Sequence, residues 1–233
     1  MEKVEMHTAL LGVLCHDLLA PITAIKWQTE LLGKKKQDEK KQEKYIQGIR
    51  DSAEIAISIL QYVASTDAVL RGEHSSSVVE ARLSEVLKEA WKHVEPQYAR
   101  HGVALDLSFD EMSAAHRVDV QMMRVFVWVI AKFFLTSALA QEAVQVRGLF
   151  VPSEDGTDGR YIMTISAKNI AHRAYYQKVF TDPTVAIEDA EGAFHSNVFA
   201  GLIRAIAKEA EVLFSAGTEV DVFTFEVSFT LEK

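Results

Sequence analysis

Over residues 3–32, apolar side chains recur at helical spacing, among them Leu10, Leu11, Leu14, Leu18, Ile22 and Ile25. That period predicts one long amphipathic helix. Gly33, with lysines just beyond it, is a fitting stop for the negative end of the helix dipole. A second helix is predicted from about Gln37 to Leu70. Its seam is Tyr45, Ile49, Ser52, Ile55, Ile59, Tyr62, Thr66 and Val69, in alternating steps of three and four. Gly72 and the serines that follow read as a linker. Two antiparallel helices with this much apolar stripe cannot bury both faces on each other. A four-helix bundle made from two copies is the expected solution, so residues 1–72 are expected to form a dimerising hairpin.

Beyond the linker the pattern changes. Ser84 is placed to cap a helix that runs to about Arg100. Gly102 to Phe109 alternates as a strand, with Val103, Leu105, Leu107 and Phe109 on one side. Asp119 starts a strongly apolar helix to about Ala140. Strands are predicted at about Ala143–Pro152 and Arg160–Ala167, joined by a turn-forming Ser-Glu-Asp-Gly-Thr-Asp-Gly segment. A helix follows over about Val198–Glu211, then strands at Val212–Ser215 and Val220–Leu231 with Gly217 in the turn. The overall class is α+β: a helical hairpin, then an α/β sandwich over residues 78–233 with helices on one face of a mixed sheet.

Composition narrows the function classes. The chain has 233 residues, 48% hydrophobic and 25% charged, which is ordinary for a globular protein with two modest domains. It shows no uninterrupted bilayer-length apolar run and no signal peptide at Met1. The expectation is therefore a cytoplasmic protein without a membrane segment, either self-standing or a piece of a longer one. The only cysteine, Cys15, excludes an internal disulfide and fits a reducing compartment. The histidines show no metal-ligand spacing, so no metal site is expected. Residues 1–75 hold 10 Lys/Arg against 11 Asp/Glu, and the remainder 15 against 22. An acidic second half disfavours nucleic acid as a partner. The run Lys34–Lys41 mixes signs and reads as a solvated hairpin tip.

The candidate chemistry lies in Cys15-His16-Asp17-Leu18-Leu19-Ala20-Pro21. An imidazole on a helix surface can act as a nucleophile, and a carboxylate beside it holds the ring tautomer and supports the developing charge. Pro21 loosens the backbone ladder near the reacting residue. Gly12, Ala20 and Thr23 on the same face are small and leave room for another protein to approach. Trp27 lies further along that side, as a docking contact or as packing within the bundle.

This segment resembles the phospho-acceptor box of bacterial sensor histidine kinases, where a histidine, an acid and a downstream proline sit on the first helix of a dimerising hairpin. The order of elements after the linker is similar to that family's ATP-binding domain, so the resemblance covers nearly the whole chain. The departures lie in the nucleotide motifs. Where the family carries metal-holding asparagines, this chain reads Val129 and Phe133. The family's Asp-x-Gly-x-Gly turn corresponds to Ile165-Ser166-Ala167-Lys168-Asn169-Ile170-Ala171-His172, which has neither the aspartate nor a glycine. The second glycine-rich loop survives only as Gly201. The closing strand, Phe223 to Phe229, is kept. The resemblance thus implies a degenerate ATPase-like domain behind an intact phospho-acceptor hairpin.

What the resemblance implies is a histidine phosphotransferase in a two-component phosphorelay. His16 would relay a phosphoryl group between receiver-domain aspartates, with Asp17 in support. Docking would use Gly12, Ala20, Thr23 and Trp27. No cofactor would be bound by the chain itself, and Mg²⁺ would come from the receiver. The expected partners are a response-regulator receiver domain, a second copy of the chain, and a hybrid kinase. Two alternatives stay open: a non-catalytic dimeric pseudokinase scaffold that binds a response regulator or partner kinase, and a divergent active histidine kinase. Family members with receiver-phosphatase activity commonly carry Thr or Asn four residues after the histidine. Ala20 at that place implies weak or absent activity of that type.

Overall fold

The computed structural model describes residues 3–34, 38–112, 114–138, 143–153, 159–187, 193–219 and 221–231, with side chains from residue 6 onward. Gln37, residues 35–36 of the lysine run, residues 154–158 of the turn, residues 139–140 and Val220 lie outside the described residues. The chain divides into two compact units, residues 2–72 and 73–233.

The first unit is a pair of helices, α1 (Lys3–Leu32) and α2 (Glu39–Arg71). The Asp38 carboxylate caps α2 by accepting the Lys41 N–H at 3.0 Å. Gly72 closes it in the left-handed conformation at φ 72°, where a side chain would be strained. Met6, Leu10 and Val13 of α1 are buried, as are Ser52, Ile59, Val63, Thr66, Val69 and Leu70 of α2. The buried Thr66 hydroxyl donates to the Tyr62 carbonyl one turn back, so that side chain is satisfied within its own helix. Gly48 lets the two helices approach closely, because a Cβ there would collide with the Gln28 carboxamide.

Most of the predicted α2 seam therefore faces inward within a single hairpin. Large apolar side chains remain exposed elsewhere: Leu11, Leu19, Ile22 and Trp27 on α1, and Ile46, Ile57 and Leu60 on α2. One expectation changes here. Two spans of this unit, Met6–Leu32 and Glu39–Arg71, are long and apolar enough by length and composition to cross a membrane, as is Val120–Ser137. Polar residues interrupt these helices, so none of them shows as an unbroken apolar run in the sequence.

The second unit contains β1 (Val78–Ala81), α3 (Leu83–Arg100), β2 (Ala104–Phe109), β3 (His116–Asp119), α4 (Val120–Ser137), β4 (Ala143–Pro152), β5 (Gly159–Lys168), α5 (Arg173–Thr181), α6 (Phe194–Glu209), β6 (Leu213–Glu219) and β7 (Val222–Leu231). A five-stranded sheet runs in the order β2-β4-β5-β7-β6, with β2 parallel to β4 and the other pairs antiparallel. A small antiparallel sheet pairs β1 with β3. Strand residues alternate strictly. Tyr161, Met163, Ile165, Phe223, Phe225 and Val227 are buried on one face, while Thr164, Ser166, Thr224 and Glu226 point away from the core.

Helix α4 packs between α3 and α6 and is buried over nearly its whole circumference. This explains its run of large apolar residues. Trp128 meets Phe199 of α6 edge to face, and the Tyr98 hydroxyl of α3 donates to the Ala131 carbonyl at 2.7 Å. Three local readings change. Ser84 is not the cap of α3: Arg82 holds that position, and the buried Ser84 hydroxyl accepts the Met112 N–H. Gly217 lies within β6 opposite Thr224 rather than in a turn. Gly201 sits buried in the middle of α6, so it is no remnant of a phosphate-cradling loop.

Candidate functional site

Helix α1 brings the candidate residues onto one side through simple angular arithmetic. Positions 12, 16, 20, 23 and 27 advance by four, four, three and four residues, so they share a face. All five are exposed in the structure. The His16 side chain is 67% exposed and that of Asp17 only 19%. His16 Nδ1 lies 3.2 Å from Asp17 Oδ1. With a proton on Nδ1 donated to that carboxylate, Nε2 carries the lone pair and faces away from it. Pro21 is buried inside the helix and has no N–H to offer the Asp17 carbonyl one turn back. Trp27, left open between docking and packing, has a surface 67% exposed. Cys15 is exposed as well, one step around the helix from His16.

The region of the expected nucleotide motifs lies in the second unit and is built from aromatic rings. Val129 and Phe133 are both fully buried. The Phe133 ring sits 4.9 Å from Tyr176, 5.2 Å from Phe180 and 5.4 Å from Phe134, all edge to face. Phe180 continues the cluster to Phe225 at 4.9 Å. Tyr176 and Phe180 come from α5, a helix that the sequence reading did not anticipate. Its signal was present: Tyr176, Val179 and Phe180 fall at helical spacing ahead of Asp182-Pro183. The buried Tyr176 hydroxyl donates to Asn197 Oδ1 at 2.9 Å. Burial pushes the Tyr176 hydroxyl up to about 12, with the charge of Tyr175 adding to it and a bond with Ser196 opposing it.

The turn that lacks the family's glycines keeps an unusual backbone. Asn169 has φ 52° and His172 has φ 56°, the left-handed region in which glycine is at ease. The turn is braced on both sides. The Ala171 N–H donates to the Ser137 carbonyl at 2.9 Å, and Arg173 pairs with Asp221 at 2.8 Å. Among the described residues no cluster of three or more His, Cys, Asp or Glu is arranged to hold a metal.

No protein-family model matches the sequence, and no curated protein matches it. Solved structures do match. The chain is similar to the histidine kinase AdeS of Acinetobacter baumannii, with 14% identity, 94% of this chain and 98% of that one covered, and a TM-score of 0.52. It is similar to a bacterial phosphotransferase at 15% identity, with 97% of each chain covered and a TM-score of 0.58. A histidine kinase from Burkholderia phymatum gives 15% identity, 94% and 98% coverage, and a TM-score of 0.50. The fold is histidine-kinase-like across the helical pair and the α/β sheet unit.

Proposed function

We propose that this chain is a histidine phosphotransferase of two-component signalling. The carrying observation is the exposed His16, on a face of small residues, with the Asp17 carboxylate 3.2 Å from Nδ1, so that with Nδ1 protonated the nucleophilic lone pair is on Nε2. In the proposed step, Nε2 attacks the phosphorus of an aspartyl phosphate on a receiver domain. The N–P bond forms as the acyl O–P bond breaks, and the aspartate leaves as a carboxylate. The reverse step on a second receiver completes the relay. Such transfer depends on in-line positioning and charge neutralisation, and Mg²⁺ would be held by the receiver. Asp17 would orient the ring and offset the positive charge that grows on it.

Gly12, Ala20 and Thr23 would form the receiver's seat, with Trp27 as its aromatic anchor. Small side chains let the receiver's loops approach the ring closely. A second copy of the chain would cover the exposed apolar side chains of the hairpin, giving a homodimer in the cytoplasm. Phe133 within the aromatic cluster supports transfer from a phosphorylated protein over transfer from ATP, because a packed ring offers neither a metal ligand nor space. The test is incubation with a receiver phosphorylated on aspartate. The chain should take up an acid-labile, base-stable phosphate, and His16→Gln should abolish uptake. Asp17→Asn should slow transfer by about tenfold, the order expected when the partner that orients a histidine is lost. Equal labelling of wild type and His16→Gln would refute the assignment.

A further inference from the structure

We propose that the second unit carries a small-molecule site, independent of the phosphotransfer reading, for an amphiphile with an apolar body and one cationic nitrogen. The site is a cavity of about 590 Å³ between the β1–β3 sheet, the start of α4, the end of α6 and the end of β7. That volume lies within the range of small-molecule pockets. Its floor is formed by Val118, Met122, Met123, Val212, Phe229 and Leu231, all buried. Two methionines give this floor the adaptability to follow a flexible apolar chain.

The mouth is acidic. Glu209 and Glu211 line it, with Asp119 as a third carboxylate and Arg117 as the counter-charge. Asp119 is held by the Met122 N–H at 3.0 Å and by His74 at 2.9 Å. The last carbonyls of α6 add negative partial charge at the same place. The two glutamates stand there against local preference. Glu209 occupies the last turn of α6, where the dipole favours a cation. Glu211 follows the helix in a paired end motif: its N–H donates to Lys208, and the Val212 N–H donates to Ala207 at 2.9 Å. Glycine is the ordinary residue at that position, yet Glu211 holds φ 53°. Ser76, from the segment joining the two units, forms part of the wall, so an occupant would touch that segment.

The test uses the full chain with ¹³C-methyl methionine, octylamine as the cationic probe and octanoate as its anionic counterpart. Octylamine should shift the Met122 and Met123 methyl signals saturably, while Met163, fully buried on the core face of β5, stays in place. Octanoate should bind at least about tenfold more weakly, a difference of one factor of ten in the dissociation constant. Glu211→Gly keeps the fold and relaxes the backbone, so it should raise the melting temperature while weakening octylamine binding. Equal affinity for the two probes, no saturable shift, or unchanged octylamine affinity in Glu211→Gly would each overturn the site.

Discussion

His172 occupies a backbone conformation that costs an L residue roughly 1–2 kcal/mol, and Asn169 shares it more comfortably because its short amide suits that region. Glycine at 172 would remove the strain but add chain entropy to the unfolded state, so His172→Gly should stabilise by roughly 0.5–1 kcal/mol. A denaturant midpoint that falls instead would mean the imidazole makes contacts that outweigh the strain. The position also shows how a residue pattern can hide a conformation. The absence of glycine in Ile165–His172 reads as loss of the turn, whereas the neighbouring strands and the Ser137 carbonyl hold the backbone in place. Asp119 makes the matching case for charge. Burial acts to raise its carboxyl, but the Met122 N–H and the bonds and charge of His74 outweigh it, with Ser76 assisting, and hold it below the usual carboxylate range. A folded-state value below the unfolded one favours the ionised form. Its stabilisation is complete above the unfolded carboxylate range and is lost as pH falls through the folded value. Asp119→Ala should therefore cost about 1 kcal/mol at neutral pH through the lost helix cap, and less in acid. Urea melts across pH would show this, and a constant difference at every pH would contradict it.

Helices α1 and α2 were legible because their apolar period is long and their C-terminal stops are explicit, Gly33 and Gly72, whereas the Asp38 cap of α2 lay hidden in a run that reads as a solvated tip. The facing of α2 was harder to read. A heptad seam looks the same whether it packs within one hairpin or between two copies, and periodicity alone cannot separate them. The structure does: Ile59 is 4% exposed and Leu60 is 48% exposed. Substitution at the two adjacent positions should then have different consequences. Ile59→Asp places an unpaired charge in the hairpin seam and should unfold the helical unit, a loss on the order of 3–5 kcal/mol. Leu60→Asp should leave helix content intact and shift the proposed dimer toward monomer. Circular dichroism with light scattering distinguishes them, and a stable wild-type monomer at micromolar concentration would remove the dimer altogether. Short elements escaped the sequence reading for a different reason. With four residues each, β1 and β3 carry too little alternation to stand out, and α5 is only nine residues long. They depend on tertiary partners, β1 and β3 on each other and α5 on the rings of α4 and β7.

Across the whole molecule, the two units of the histidine-kinase-like fold differ in the chemistry that their residues offer. The helical unit presents the proposed acceptor, His16, in an exposed position beside the largely covered Asp17 carboxylate. The sheet unit carries the five-stranded mixed sheet, and Phe133, Tyr176 and Phe180 pack together in the region where the resemblance led one to expect nucleotide motifs. Packing at that density decides what a simple reversion can achieve. Phe133→Asn would restore the carboxamide that a metal site needs, but it would bury that amide among aromatic rings and leave a void where the phenyl ring was. Truncation of a buried phenylalanine costs roughly 3–5 kcal/mol, and a carboxamide without partners adds its own desolvation. The variant should therefore lose stability in thermal melts without gaining affinity for nucleotide. The wild type should show no Mg-ATP binding tighter than about millimolar by calorimetry, equivalent to roughly 4 kcal/mol of binding free energy. Micromolar binding would require the α5 rings to move out of the core at the cost of their mutual contacts and the Tyr176–Asn197 hydrogen bond. Such a result would reinstate the divergent-kinase reading and make His16 an acceptor from ATP instead of from a receiver.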